Sequence, residues 1–133
     1  MKCFSVNFSL LPTLGTSNFY EIAMVVGTGI IELFLAESSS LKEKRGILSR
    51  ILKRTQNKFN ISIAEIGAND NWKKALIGFS VVGNDKPYIN GKIDHIMNFI
   101  GGLRLAEVVD AKFELLSFSV SLSTGRYEED KYR

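Results

Sequence analysis

The chain has 133 residues, a formal net charge of +3, 45% hydrophobic residues and 23% charged residues. This length fits one domain with a modest core, and the composition excludes a chain that is disordered throughout. The single cysteine, Cys3, excludes an intrachain disulfide and a multi-cysteine metal site, which favours a reducing compartment. Because no apolar run approaches about 18 residues, the sequence predicts no membrane span.

Residues 1–23 form a leader without a clear helical or strand period, divided by the turn-prone segment 11–16. Its polar, broken middle is a poor match to a secretory signal peptide. Two interpretations stay open. Either the leader comes from an upstream start and Met24 is the natural first residue, or Phe4–Leu11 adds an edge strand.

A strand and a helix are predicted directly after the leader. The strand, rich in Val, Ile and Leu, covers Met24–Leu35, and the helix covers Leu41–Lys58. The helix begins at a capping box formed by Ser40 and Glu43, in which each side chain satisfies a free backbone N–H. Its apolar residues recur on one face, as packing on a sheet requires. These residues are Leu41, Leu48, Ile51, Leu52 and Phe59.

Two more strands and a second helix follow. The strands are predicted over Asn60–Gly67 and Trp72–Val82, with Trp72 interpreted as a packing anchor. The second helix is capped by residues 83–85 and has Pro87 in its first turn, where the missing N–H costs nothing. It ends at the glycines 101 and 102. Its apolar residues are Ile89, Ile93, Ile96, Met97 and Ile100.

The last predicted strand covers Glu107–Phe118, and Ser119–Arg133 forms a polar, charged tail. The resulting order βαββαβ consists of two split β-α-β units. Because crossovers are right-handed, these units assemble into a four-stranded antiparallel sheet with both helices on one face. The predicted fold is therefore an α+β sandwich of the ferredoxin-like type, with the domain over residues 24–118.

Helix one carries an unusual share of the charge, because its cations stand against Glu43 alone in a chain of net charge +3. At about 100° per residue, most of them lie opposite the apolar stripe, with Lys44 and Lys58 at the rim. Such a strip attracts phosphate backbones without reading sequence, which predicts a polyanion such as RNA as partner. The alternative is a solvated face that keeps the protein soluble. The cations are Lys42, Lys44, Arg45, Arg50, Lys53, Arg54 and Lys58.

The sheet face turned away from the helices offers a second surface. If Ile31 and Leu33 point toward the helices, alternation places their neighbours on this open face. The expected members are Ile30, Glu32, Phe34, Asp110, Lys112, Glu114, Leu116 and Phe118. Carboxylates there repel phosphate, so base stacking on the sheet is not expected. The alternative function is therefore a protein–protein adaptor or a homodimer using this face, unless the leader covers it.

Few residues are suited to catalysis. His95 is the only histidine, and Cys3 has no histidine near it in sequence. No H-x-x-H, C-x-x-C or D-x-D spacing occurs, so no metal site and no cofactor are predicted. Ser38, Ser39 and Ser40 form a weak candidate anion site at the start of helix one, although their ordinary role is capping. The sequence therefore predicts a protein without catalytic activity.

Several short segments along the chain match the sequence pattern of one protein family. The most specific of these segments is Ser40–Arg45 (SLKEKR). The others are Met24–Gly27, Glu32–Leu35, Phe59–Glu65, Trp72–Ala75, Asn84–Asp85 and Leu103–Glu107. Over roughly residues 24–118 the chain resembles the YlxP-like family of small bacterial proteins of unknown function. The resemblance implies a ferredoxin-like fold, a cytoplasmic location and a genomic neighbourhood of translation-initiation and ribosome-maturation genes. It supplies no catalytic or binding residues, and the leader and the tail lie outside the family pattern.

Overall fold

The computed structural model describes residues 19–123. It contains six elements in the order βαββαβ, as predicted. They are β1 (Phe19–Phe34), α1 (Leu41–Lys58), β2 (Ser62–Gly67), β3 (Lys74–Gly83), α2 (Lys86–Gly102) and β4 (Glu107–Ser123). The expected edge strand over Phe4–Leu11 lies outside the described residues.

The four strands form one antiparallel sheet in the order β2-β3-β1-β4. Both helices pack on one side of it, so the fold is the predicted ferredoxin-like α+β sandwich. β1 pairs with β3 over Val25–Phe34 and with β4 along its whole length. The register with β4 shifts between Glu32 and Leu33, where β4 accommodates one extra residue.

The core lies between the sheet and the two helices. Burial alternates along β3, whose buried residues are Ala75, Ile77, Phe79 and Val81. α2 packs on them through Ile89, Ile93, Ile96 and Ile100. A Cβ atom at Gly27 would lie 2.6 Å from Cγ2 of Ile89, so the glycine in β1 allows α2 to approach the sheet closely.

Two strands extend further than the sequence indicated. β1 begins at Phe19 rather than Met24, and β4 continues to Ser123 rather than Phe118. Beyond the end of β3, Phe19–Met24 pairs only with Phe118–Ser123, forming a two-stranded segment that we term the ribbon. The inward-pointing backbone groups of the two strands pair with each other there. Residues 19–23 and 119–123 therefore belong to the sheet.

Candidate nucleic-acid interface

α1 holds a row of cations on its solvent side. Six of them are exposed, and within residues 19–123 none makes a hydrogen bond or an ion pair with the protein. The only exposed carboxylate on this helix is that of Glu43. We term these six residues the basic face: Lys42, Arg45, Arg50, Lys53, Arg54 and Lys58.

The buried side of α1 fixes the direction in which the basic face points. Leu48 and Ile51 pack in the core, and the buried Thr55 hydroxyl donates to the Ile51 carbonyl at 2.7 Å. At a rise of 1.5 Å per residue, Lys42 and Lys58 lie about 24 Å apart along the helix axis. The basic face is therefore a positive strip along the side of α1 that is turned away from the core.

Gly46 lies within this strip, one helical turn from Lys42 and one from Arg50. It is exposed, and a Cβ atom built there would meet nothing within 4 Å. The helix backbone is consequently accessible between the flanking cations.

Lys44 does not belong to the basic face, which corrects the sequence prediction. Its side chain is 1% exposed, its Nζ donates to the carbonyl of Ala68, and it lies 3.8 Å from Oε1 of Glu65. The cause is helical geometry, because position 44 precedes the buried Leu48 by four residues and Ile51 by seven. The ammonium group ties α1 to the loop between β2 and β3 instead of facing solvent.

The serines at the start of α1 form a cap. The Ser40 Oγ accepts from the Glu43 N–H at 3.1 Å, while the Glu43 carboxylate accepts from both the N–H and the Oγ of Ser39 at 2.9 Å. The Glu43 carboxylate therefore reaches Ser39 rather than the N–H of Ser40, one residue earlier than the predicted capping box. Ser38 is buried, and its hydroxyl donates to the Ser40 carbonyl at 3.1 Å.

This cap also corrects the candidate anion site at Ser38, Ser39 and Ser40. The position that an anion would take is filled by the carboxylate of Glu43. The hydrogen bond from the Ser39 N–H, followed by that from its hydroxyl, holds the pKa of Glu43 below its ordinary value. The charged form of Glu43 is thus the anion that this helix start binds.

The open sheet face has the composition that alternation predicted. Ile31 and Leu33 are fully buried, whereas Phe34 is exposed on the opposite side. Along β4, the partners of the even-numbered β1 residues include Asp110, Lys112 and Glu114. The exposed large apolar side chains on this face are Ile22, Met24, Ile30, Phe34, Ile66, Val82, Leu116 and Phe118.

Trp72 is 51% exposed, which corrects its interpretation as a packing anchor. It precedes β3 and lines a shallow depression together with Lys74 and Leu76. The neighbouring Lys73 has the structural role instead, because its Nζ donates to the carbonyl of Ala36 at 2.8 Å and its carbonyl accepts from the Leu35 N–H. No sequence pattern distinguished these two adjacent residues.

No catalytic constellation emerges from the residues singled out by sequence. His95 is exposed on α2, and Cys3 lies outside the described residues. Between Phe19 and Ser123, no three His, Cys, Asp or Glu side chains are grouped so that they could hold a metal ion. No helix in this range is long and apolar enough to cross a membrane.

Comparison with known families agrees with the resemblance in the sequence. The model of a family described as a protein of unknown function, DUF503, matches residues 26–113. The chain belongs to the DUF503 family. The uncharacterized DUF503 relative YlxP of Bacillus subtilis is 38% identical over 76 residues, which cover 57% of this chain and 83% of that protein.

Among solved structures, the chain is similar to a de novo designed protein, Foldit4, at 17% identity and a TM-score of 0.40, covering 71% of this chain and 96% of the other. A dimeric ferredoxin-like protein from an uncultured marine organism is 12% identical with a TM-score of 0.34, covering 73% and 95%. These likenesses are too distant to inform the site. The assignment of function to this DUF503 protein therefore depends on its own side chains.

Proposed function

We propose that this protein is a non-catalytic, cytoplasmic accessory factor that associates with RNA or the ribosome by docking phosphates on the basic face of α1. The observation that carries the proposal is the row of six exposed cations without a protein partner in the described residues. The one carboxylate beside them, that of Glu43, is already held by Ser39.

The physical basis is the release of counterions from a polyanion. Each phosphate neutralised on a single strand contributes about −0.7 to the slope of log affinity against log salt concentration. If four to six cations of the basic face engage, the expected slope is about −3 to −4. Phosphate contacts position the protein without reading bases, so we expect little sequence preference.

The nature of the target is supported by the family resemblance. The YlxP-like pattern implies a genomic neighbourhood of translation-initiation and ribosome-maturation genes, which favours ribosomal RNA over DNA. The geometry of α1 itself would serve any phosphodiester backbone.

The proposal is tested by binding of the full chain to a labelled single-stranded RNA and to ribosomal particles at about 100 mM salt. The variant Arg50→Glu/Lys53→Glu reverses two charges on the basic face. A matched control, Lys86→Glu/Arg104→Glu, makes the same change in net charge at two exposed sites outside α1. Circular dichroism checks that both variants fold.

We expect the α1 variant to lose at least about tenfold in affinity and the control to lose much less. An equal loss in the two variants would mean that net charge alone drives binding. Absence of binding by the wild-type protein would also overturn the proposal.

A further inference from the structure

The open sheet face holds eight of the eleven large apolar side chains that are exposed in the described part of the chain. Eight large apolar side chains on it are each at least 39% exposed. Three successive rungs between β1 and β4 are apolar on both strands: Ile22 opposite Val120, Met24 opposite Phe118, and Val26 opposite Leu116. Monomeric soluble proteins rarely leave a contiguous apolar patch of this kind open to water.

The ribbon is a second, independent indication that the open sheet face is covered. A two-stranded segment is marginally stable by itself in water. The ribbon carries apolar residues such as Ile22 and Val120 on its open side, whereas Ala23 pairs with Ser119 on the other side. Covering the open side would supply the apolar burial that a two-stranded segment lacks.

The size of the face suits an interface between two proteins. The four strands have 6, 16, 10 and 17 residues. With a rise of about 3.3 Å per residue and a strand spacing of about 4.8 Å, they present a face of roughly 800 Å². A stable interface buries about 800 Å² on each partner.

The charges on the face identify the occupant. Glu32 is paired with Lys74 at 3.0 Å, while Asp110, Lys112 and Glu114 alternate in sign along β4. With Glu107 opposite Phe34, the face thus has four carboxylates against two lysines and contains both signs, unlike the basic face on the other side of the molecule. A polyanion or a strongly charged protein finds no complement here, whereas a second copy of the same face offers an anion for each cation.

We propose that a second copy of this chain covers the open sheet face, forming a two-fold, face-to-face dimer. Met24, Ile30 and Phe118 are its apolar anchors, and each counts twice because the interface is isologous. In this arrangement the helices lie on the two outer surfaces, so both basic faces stay free. The inference therefore does not depend on the proposed binding of phosphates.

The test is sedimentation velocity of the full chain over about 1–100 μM at 0.15 M salt. The wild-type protein is expected to sediment as a dimer, with twice the mass of the 14.9 kDa chain. The variants Ile30→Glu and Phe118→Glu each place a carboxylate at an exposed position of the face and are expected to raise the dimer Kd by at least about tenfold. The two sites lie on different strands, so a folding defect in one variant leaves the other as a test.

Two controls keep the dimer distinct from the proposed function. Asn57→Glu adds the same charge on the solvent side of α1 and is expected to leave the dimer intact. Arg50→Glu/Lys53→Glu is likewise expected to stay dimeric while it loses RNA binding.

Three results would overturn the inference. One is a wild-type protein that sediments as a monomer at 100 μM, which includes the case in which another part of the same chain covers the face. Another is a dimer that persists in both Ile30→Glu and Phe118→Glu, since the contact would then lie elsewhere. The third is an equal weakening of the dimer by Asn57→Glu.

Discussion

Replacement of the buried Lys44 by Met tests whether this cation ties α1 to the loop between β2 and β3. Met keeps much of the side-chain volume but removes the charged hydrogen bond to the Ala68 carbonyl and the ion pair with Glu65. A hydrogen bond to a charged group contributes about 1.5–3 kcal/mol, and a carbonyl left without a partner adds a further penalty. Relief of the buried charge offsets part of this loss.

We therefore expect Lys44→Met to lower the free energy of unfolding by about 2 kcal/mol. In a domain of this size the corresponding fall in Tm is about 7–9 °C. Urea and thermal unfolding followed by circular dichroism would measure both quantities. The matched control is Lys53→Met on the basic face, for which we expect a change within about 0.5 kcal/mol.

The two lysines are also expected to differ in their effect on RNA binding. Lys53→Met should reduce the salt slope of RNA binding by about 0.7, whereas folded Lys44→Met should leave it unchanged. A Lys44→Met protein as stable as the wild type would refute the structural role of this residue. A loss of RNA binding by that variant would show that Lys44 acts at the surface after all.

Other expected outcomes concern the glycines and the cap of α1. Gly46→Ala should raise stability by up to about 1 kcal/mol in urea unfolding, because the site is open and glycine weakens a helix interior. Gly27→Ala should lower the free energy of unfolding by about 1–3 kcal/mol, since the new Cβ would lie 2.6 Å from Cγ2 of Ile89. Equal stability of Gly46→Ala and Gly27→Ala would contradict the packing of α2 on β1. Ser40→Ala should cost about 1 kcal/mol through the lost N-cap. The pKa of Glu43 is lowered in the folded state, so the wild type should have a higher free energy of unfolding than Glu43→Gln. This difference should be complete above the ordinary pKa of 4.5 and disappear as pH falls through the lowered value. A difference that is constant with pH would contradict the Ser39 contacts.

Elements whose ends are set locally were predictable from sequence. Both helices begin at a residue whose side chain caps them, Ser40 for α1 and Asp85 for α2. Such caps lie within a few residues of the groups that they satisfy, so a single sequence shows them. The alternation that put Ile31 and Leu33 in the core has the same local character, and it placed the open sheet face correctly.

The strand ends were not predictable, because they depend on a partner distant in sequence. Phe19 belongs to β1 because Ser123 pairs with it, more than 100 residues later. Apolar and polar residues alternate only weakly in residues 19–23 and 119–123, where Ala23 and serines lie on one side. The pairing of two such segments is a property of the whole sheet.

In the candidate site, periodicity was a better guide than residue type. Six of the seven cations of α1 are exposed as predicted, whereas Lys44 follows the spacing of Leu48, Ile51 and Thr55 into the core. The signal was present in the spacing, but burial of an ammonium requires the Ala68 carbonyl and Glu65, which belong to another element. Only the folded arrangement shows that this partner exists.

The proposal that the basic face docks phosphates is tested most directly by the salt dependence of RNA binding. The measurement compares the wild-type chain with Arg50→Glu/Lys53→Glu/Arg54→Glu on the same single-stranded RNA across a salt series. We expect a slope of log affinity against log salt of about −3 to −4 for the wild type, and a slope shallower by about 2 for the variant. Identical slopes for the two proteins, or a wild-type slope near zero, would contradict the claim.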